Sequence, residues 1–148
     1  MAGKRVDVKL TQTNDIGVLL NAINSVEING QADFFTSIKV AQLSLKHRMN
    51  KMQKSRIIVF VGHPLEDDIA EFEELGIRLR RNAVNIDVIN FANPENVAKL
   101  TALVNAANDS NQSHFLDVPL GVAMITDVLI TSPIFNSEDG GMNMGGAQ

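Results

Sequence analysis

The chain contains no cysteine, no tryptophan and no tyrosine. Without cysteine there is no disulfide framework, no thiolate zinc site and no cysteine nucleophile. A reducing compartment fits that composition. Without Trp or Tyr, the large core side chains have to be Phe, Leu and Ile. Positive charge is also short: 13 Lys and Arg against 17 Asp and Glu give a net charge of -4, which argues against a nucleic-acid partner held through its phosphates. No apolar run approaches the roughly 20 residues of a membrane span. The opening residues Met-Ala-Gly-Lys-Arg-Val lack the apolar core of a signal peptide. The expectation is a soluble intracellular protein with no nucleic-acid and no membrane partner. Glycine is sparse at strand ends, with only Gly62 so placed, so neither a dinucleotide fingerprint nor a phosphate loop is present. No Gly-x-Ser-x-Gly elbow exists either.

What is there is an ordinary globular composition, 45% hydrophobic and 20% charged over 148 residues, which suits a single domain. The chain is organised around Ser44 to Pro64, SLKHRMNKMQKSRIIVFVGHP, where a basic segment runs into the apolar strand Ile57 to Val61. Such a run reads as a strand buried on both faces of a parallel sheet. Before it, Val6, Val8 and Leu10 alternate with Asp7, Lys9 and Thr11 as in a half-buried strand. Asn14 or Asp15 can cap a helix whose Ile16, Leu19, Leu20 and Ile23 form one stripe. A second helix is predicted over Phe34 to Asn50, with Phe34, Ile38, Ala41, Leu45 and Met49 inward.

After the strand, Pro64 is expected to open a helix with Glu66, Asp67 and Asp68 in its first turn and Arg78, Arg80 and Arg81 in its last, matching the helix dipole. Ile69, Phe72 and Leu79 give its inner face. Gly76 inside that helix points to close packing there. Val84 to Phe91 reads as a strand with Asn85 and Asp87 on its polar side. Asn93-Pro94 starts a further helix with Val97, Leu100 and Val104 on one face. His114 to Val118 is a short strand, followed by a last helix with Ile125, Val128 and Leu129 inward. Residues 136–148 read as a flexible Gly-rich tail. Strands alternating with helices predict an α/β fold with a largely parallel sheet.

Candidate chemistry is thin. In open α/β sheets ligands bind beyond the carboxyl ends of strands, which here means Gly62-His63-Pro64 with Glu66, Asp67 and Asp68 close by. One His and three carboxylates could ligate a metal or exchange protons; the alternative is a turn before a helix that is acidic for dipole reasons. His47 is expected to be solvated and His114 packed. The most polarised surface is Lys46, His47, Arg48, Lys51, Lys54 and Arg56. It could dock an acidic protein partner, or it could be a solvated helix end.

The stretch LKHRMNKMQKSRIIVFVGHP resembles the von Willebrand factor A domain of the proteasome regulatory particle's multiubiquitin-receptor subunit. The similarity continues through AGKRVDVKLTQTND, INSVEINGQADFFTSIKVAQLSLKHR, RLRRNAVNIDVINF, KLTALVNAANDSNQSHFLDVP and LITSPI. The resemblance implies a doubly wound, mostly parallel α/β sheet, with residues 1–135 a partial A domain lacking its first two strands. It also implies a non-catalytic scaffold docked between base and lid subunits in ubiquitin-dependent degradation, in cytoplasm and nucleus, without a cofactor. Polyubiquitin would be received through helices absent from this chain. Many A domains bind a metal, but the family's Asp-x-Ser-x-Ser has no counterpart here. Phe34 aligns with a liganding Thr, two residues before Thr36, and Val61 with the Asp before Gly. Neither side chain can offer Mg²⁺ an oxygen. The alternatives are a free A-domain adaptor and a metal-dependent ligand domain near His63. With its neighbouring strand missing, Arg56 to Gly62 would have an open edge. Either Val6 to Thr13 moves in beside it, or two chains join there as a homodimer, the outcome favoured by the polar face of Val6 to Thr13.

Overall fold

A computed structural model describes residues 5–136; the tail expected at 136–148 lies outside them apart from its first residue. The chain divides into two units, residues 1–54 and 55–148.

In the first unit, α1 (Ile16–Asn24) starts where the sequence predicts, with the Asp15 carboxylate accepting from the Val18 N–H at 3.2 Å. Its apolar stripe is not covered: Ile16, Leu19, Leu20 and Ile23 are all exposed. The strand expected over Val6 to Thr13 does not form. Alternation alone cannot make a strand, because its N–H and C=O groups need a ladder partner, and among the described residues none pairs with it. Helix α2 (Phe34–Lys46) is capped by Asp33 and buries Phe34 and Ile38. It stops four residues short of the predicted Asn50. The Arg48 guanidinium takes the Leu45 carbonyl at 2.8 Å, and the chain leaves the helix there, so Met49 points into solvent rather than inward.

The second unit is a three-stranded parallel sheet in the order β1 (Ser55–Val61), β2 (Val84–Phe91), β3 (His114–Val118). Each parallel crossover carries a helix: α3 (Ile69–Arg81) between β1 and β2, and α4 (Val97–Ala107) between β2 and β3. α3 packs along α4. Phe72, Leu79, Leu100 and Leu103 are fully buried, as are Ile86 and Val88 of the central strand. Gly76 sets the helix spacing: a Cβ there would lie 2.4 Å from the Leu103 carbonyl oxygen and 2.7 Å from the Ala106 Cβ. The opposite face of the sheet carries Ile89 and Val118, which pack with Ile134 and with half-buried Val128 and Leu129. These belong to the short helices α5 (Ile125–Ile130) and α6 (Pro133–Asn136). Ile125 is exposed, not inward.

Two expectations change here. β1 is not buried on both faces. It is an edge strand: Ile57, Val59 and Val61 are buried, while Ile58 and Phe60 are exposed. Helix α3 begins at Ile69, five residues after Pro64. The Glu71 carboxylate accepts from the Asp68 N–H at 3.3 Å, which is half of a capping box. Upstream, the Leu65 N–H and C=O are taken by Asn96 and Lys99, so no helical turn can form there. Glu66 and Asp67 therefore sit in a loop, and Ile69, at the helix start, is exposed.

Candidate functional site

The carboxyl ends of the strands are where an open α/β sheet would bind a ligand. Here that region is braced by amides. Asn90, near the end of β2, donates through Nδ2 to the Asn93 carbonyl and to Asp117 Oδ1, both at 2.8 Å. Asn96 closes the 3₁₀ turn Pro94–Asn96 before α4. Its Nδ2 donates to the His63 carbonyl at 2.8 Å and to Asn90 Oδ1 at 3.2 Å, and its Oδ1 accepts from the Leu65 N–H at 2.9 Å. Lys99 donates from Nζ to the Leu65 carbonyl at 2.7 Å. Both Asn side chains are wholly buried. Among the described residues no buried side-chain nitrogen or oxygen lacks a partner.

The candidate loop residues His63, Glu66, Asp67 and Asp68 do not converge. His63 is half-buried, while Glu66, Asp67 and Asp68 are exposed. No group of three or more His, Asp or Glu side chains is placed to hold a metal among the described residues. Phe34 and Val61 are buried apolar residues, each in its own unit. Thr36 donates its hydroxyl to Asp33 Oδ2 at 2.6 Å and its N–H to Asp33 Oδ1 at 3.0 Å, so it completes a helix cap.

At the amino end of the sheet lies a constellation that periodicity hides. Asp87 is buried, not on a solvated face as Val84 to Phe91 suggested. Its Oδ2 accepts from Arg56 Nε; its Oδ1 accepts from the His114 N–H at 3.0 Å and lies 2.8 Å from His114 Nδ1. Arg56 Nη2 also donates to the Ile134 carbonyl at 2.9 Å. Arg56 is thus committed to the core of its own unit, and His114 is packed as expected. One signal was available in sequence: an Asp inside a β-branched run, directly between Ile86 and Val88.

The remaining basic residues stay on the surface. Lys46, His47, Lys51 and Lys54 are exposed. Arg48 is half-buried, because its guanidinium faces the carbonyls of its own loop.

The fold has a close structural counterpart. It matches the crystal structure of the SpRpn10 VWA domain at 35% identity with a TM-score of 0.79, over 86% of this chain and 66% of that one. The chain belongs to the von Willebrand factor A family of 26S proteasome regulatory subunits. This A domain is 43% identical over 143 residues to the rice "26S proteasome non-ATPase regulatory subunit 4 homolog", covering 95% of this chain and 36% of that protein. It is 42% identical to the Dictyostelium discoideum subunit 4, over 95% of this chain and 40% of that protein. It is 35% identical to the Saccharomyces cerevisiae regulatory subunit RPN10, over 97% of this chain and 54% of that protein. The A domain therefore spans about a third to a half of the length of these relatives. No family model matches the chain. No helix among the described residues is long and apolar enough to cross a membrane.

Proposed function

We propose that this A domain is a non-catalytic scaffold of the 26S proteasome regulatory particle, docking between base and lid in ubiquitin-dependent degradation, in cytoplasm and nucleus. The observation that carries the reading is the alignment of 95% of the chain with regulatory subunits that are themselves named non-ATPase. The docking surface is the basic segment Lys46, His47, Arg48, Lys51 and Lys54, and polyubiquitin is received by segments outside the A domain. The reading calls for no cofactor, and it is supported by the brace at the carboxyl ends of the strands, where Asn96 bonds to the His63 carbonyl and to Asn90, and Lys99 bonds to the Leu65 carbonyl. The test is binding of the chain to regulatory particles purified from cells lacking the corresponding subunit. Saturable binding, weakened by the double reversal K46E/K51E, supports the reading. Failure to bind, with the chain recovered on other complexes, would favour a free adaptor. Calorimetric titration with Mg²⁺ is expected to give no heat, and a stoichiometric isotherm would favour a metal-dependent ligand domain.

A second reading concerns assembly of the chain with itself. The outer edge of β1 has no partner strand among the described residues, which favours a homodimer through that edge.

A further inference from the structure

Between Asp33 and Glu66 the chain has no acidic residue, although its net charge is -4. The segment after α2 lies inside this interval and is built around one side chain. Arg48 donates from Nη1 to the Leu45 carbonyl at 2.8 Å and from Nε to the Asn50 carbonyl at 3.2 Å. Its Nη2 reaches the carbonyls of Lys51 at 3.2 Å and Gln53 at 3.3 Å. Asn50 adds a local bond, its Oδ1 accepting from the Met52 N–H at 3.0 Å. A guanidinium is a planar fork of fixed donors, so four carbonyls gathered on it close the loop 45–53 into one conformation. The donors used this way are not available to a partner's carboxylate.

Two methionines project from this loop. Met49 is 103% exposed and Met52 94% exposed. Methionine is enriched in protein interfaces, and its flexible thioether adapts to irregular apolar clefts. Lys46 precedes the pair, Lys51 lies between its two members, and both lysines are exposed as well. An apolar anchor inside a rim of one charge is the arrangement that concentrates binding energy at an interface. Holding the loop in advance reduces the ordering cost of association.

We infer that Met49 and Met52 are the apolar anchors of the docking surface, that Arg48 holds the loop rather than touching the partner, and that the partner presents an apolar cleft rimmed by Asp and Glu. The inference rests on the docking reading above and names the chemistry of the partner at that surface. Lys46 and Lys51 supply long-range attraction and the salt dependence; the two thioethers supply the contact that slows dissociation.

The experiment compares the free chain with the chain assembled into subunit-depleted regulatory particles. Dilute hydrogen peroxide oxidises exposed thioethers, and mass spectrometry reads sulfoxide at each methionine. Assembly is expected to slow oxidation of Met49 and Met52 by about tenfold, as a hot-spot anchor would require. M49Q/M52Q should raise Kd by roughly tenfold or more without changing its salt dependence. K46E/K51E should weaken binding and flatten that dependence. R48K keeps the charge but loses the fork, and should weaken binding about as much as R48M. Equal oxidation in free and assembled chain, or wild-type affinity of M49Q/M52Q beside a weakened K46E/K51E, would overturn the inference and leave the docking reading standing. Wild-type affinity of R48K would overturn the role given to Arg48. Wild-type affinity of every variant would remove the docking reading itself.

Discussion

The Nδ1 of His114 lies 2.8 Å from Oδ1 of Asp87, a carboxylate with no solvent exposure. The two residues join β3 to β2. Arg56 joins the same carboxylate to β1 and, through the Ile134 carbonyl, to α6. One buried charge thus ties together every strand of the sheet and its last described helix. Burying a charge is tolerable only when it is paired and hydrogen-bonded, and Asp87 meets that condition on both oxygens. Asp87→Ala should destabilise the second unit by about 3 kcal/mol, because it leaves Arg56 without its counter-charge and the His114 N–H without an acceptor. Urea denaturation followed by far-UV circular dichroism measures this. A loss below about 0.5 kcal/mol, the usual effect of a surface substitution, would show that the carboxylate does not organise the sheet.

The brace at the other end of the sheet makes a similar demand. Asn96 serves Leu65, His63 and Asn90 at once. Asn96→Ala leaves one buried N–H and two buried oxygens short of a partner, for a cost of about 2 to 4 kcal/mol. Asn96→Asp keeps the acceptor for Leu65 but replaces the donor with charge, and should cost nearly as much. Amide hydrogen exchange at Leu65 reports the loss directly. Unchanged protection there in Asn96→Ala would refute the brace.

How much of this was legible depended on which physical rule decided each element. Val84 to Phe91 and His114 to Val118 have the predicted bounds, since short runs rich in β-branched or other apolar residues between polar turns have few alternatives. The close approach at Gly76 was also legible, because glycine inside a helix needs a reason. Asp87 was not: period-2 alternation assigns it to water, but α5 and α6 cover that face. Val6 to Thr13 alternates well and forms no strand, since pairing is non-local and no residue in the segment encodes its partner. The early end of α2 turns on one guanidinium choosing backbone carbonyls, which periodicity through Met49 cannot register. The amide brace was missed because Asn90 fell inside a predicted strand and Asn96 in the first turn of a predicted helix, and their partners lie up to 33 residues away.

Gly76 sets helix propensity against packing. Gly→Ala in an exposed helix interior gains about 1 kcal/mol. Here the new Cβ would meet the Leu103 carbonyl oxygen at 2.4 Å and the Ala107 nitrogen at 2.9 Å. Both are backbone atoms of α4 and cannot rotate away. Overpacking of this kind costs about 1 to 3 kcal/mol, so Gly76→Ala should lower the melting temperature. A variant melting at or above the wild type would mean that α3 and α4 separate without penalty.

The cap of α2 gives a pH dependence. The Asp33 carboxyl is held below its ordinary value of 3.8 first by the Thr36 hydroxyl and next by the Thr36 N–H, with a smaller pull from Lys39; slight burial opposes them. A depressed folded-state value favours the ionised form in the folded chain. Its contribution is therefore complete above the unfolded value, about 3.9, and is lost as pH falls through the lower folded one. Thr36→Ala removes the largest cause and should move the Asp33 titration up towards its ordinary value. Carbon-detected NMR titration of the carboxyl reads this. An unmoved midpoint would show that the hydroxyl does not stabilise the carboxylate.

The open edge of β1 makes the last prediction, a homodimer at micromolar concentration. Ile58 is 48% exposed and Phe60 62% exposed on the face that also carries Phe91, whose ring stacks on Phe60 at a centroid distance of 6.1 Å. Between Ile57 and Val61 there is no Lys, Pro or bulge of the kind that blunts sheet edges. A two-fold axis pairs the strand with itself in antiparallel fashion. Centred on Ile58, that pairing sets Ile57 opposite Val59 of the second copy on the buried face, and Arg56 opposite Phe60 on the other. Arg56 already faces Asp87, so the pairing brings no like charges together across the seam, and its guanidinium reaches an aromatic ring. The result is a continuous six-stranded sheet with its exposed apolar strip doubled back on itself. Light scattering coupled to size exclusion should give about twice the 16.1 kDa chain mass. Ile58→Lys places two ammonium groups directly opposite each other at the axis, which is destabilising in an antiparallel pair, and should return the monomer. A wild-type chain that runs as a single 16.1 kDa species with a sharp cooperative melt would show that the edge is protected in the monomer and that self-pairing is not its use.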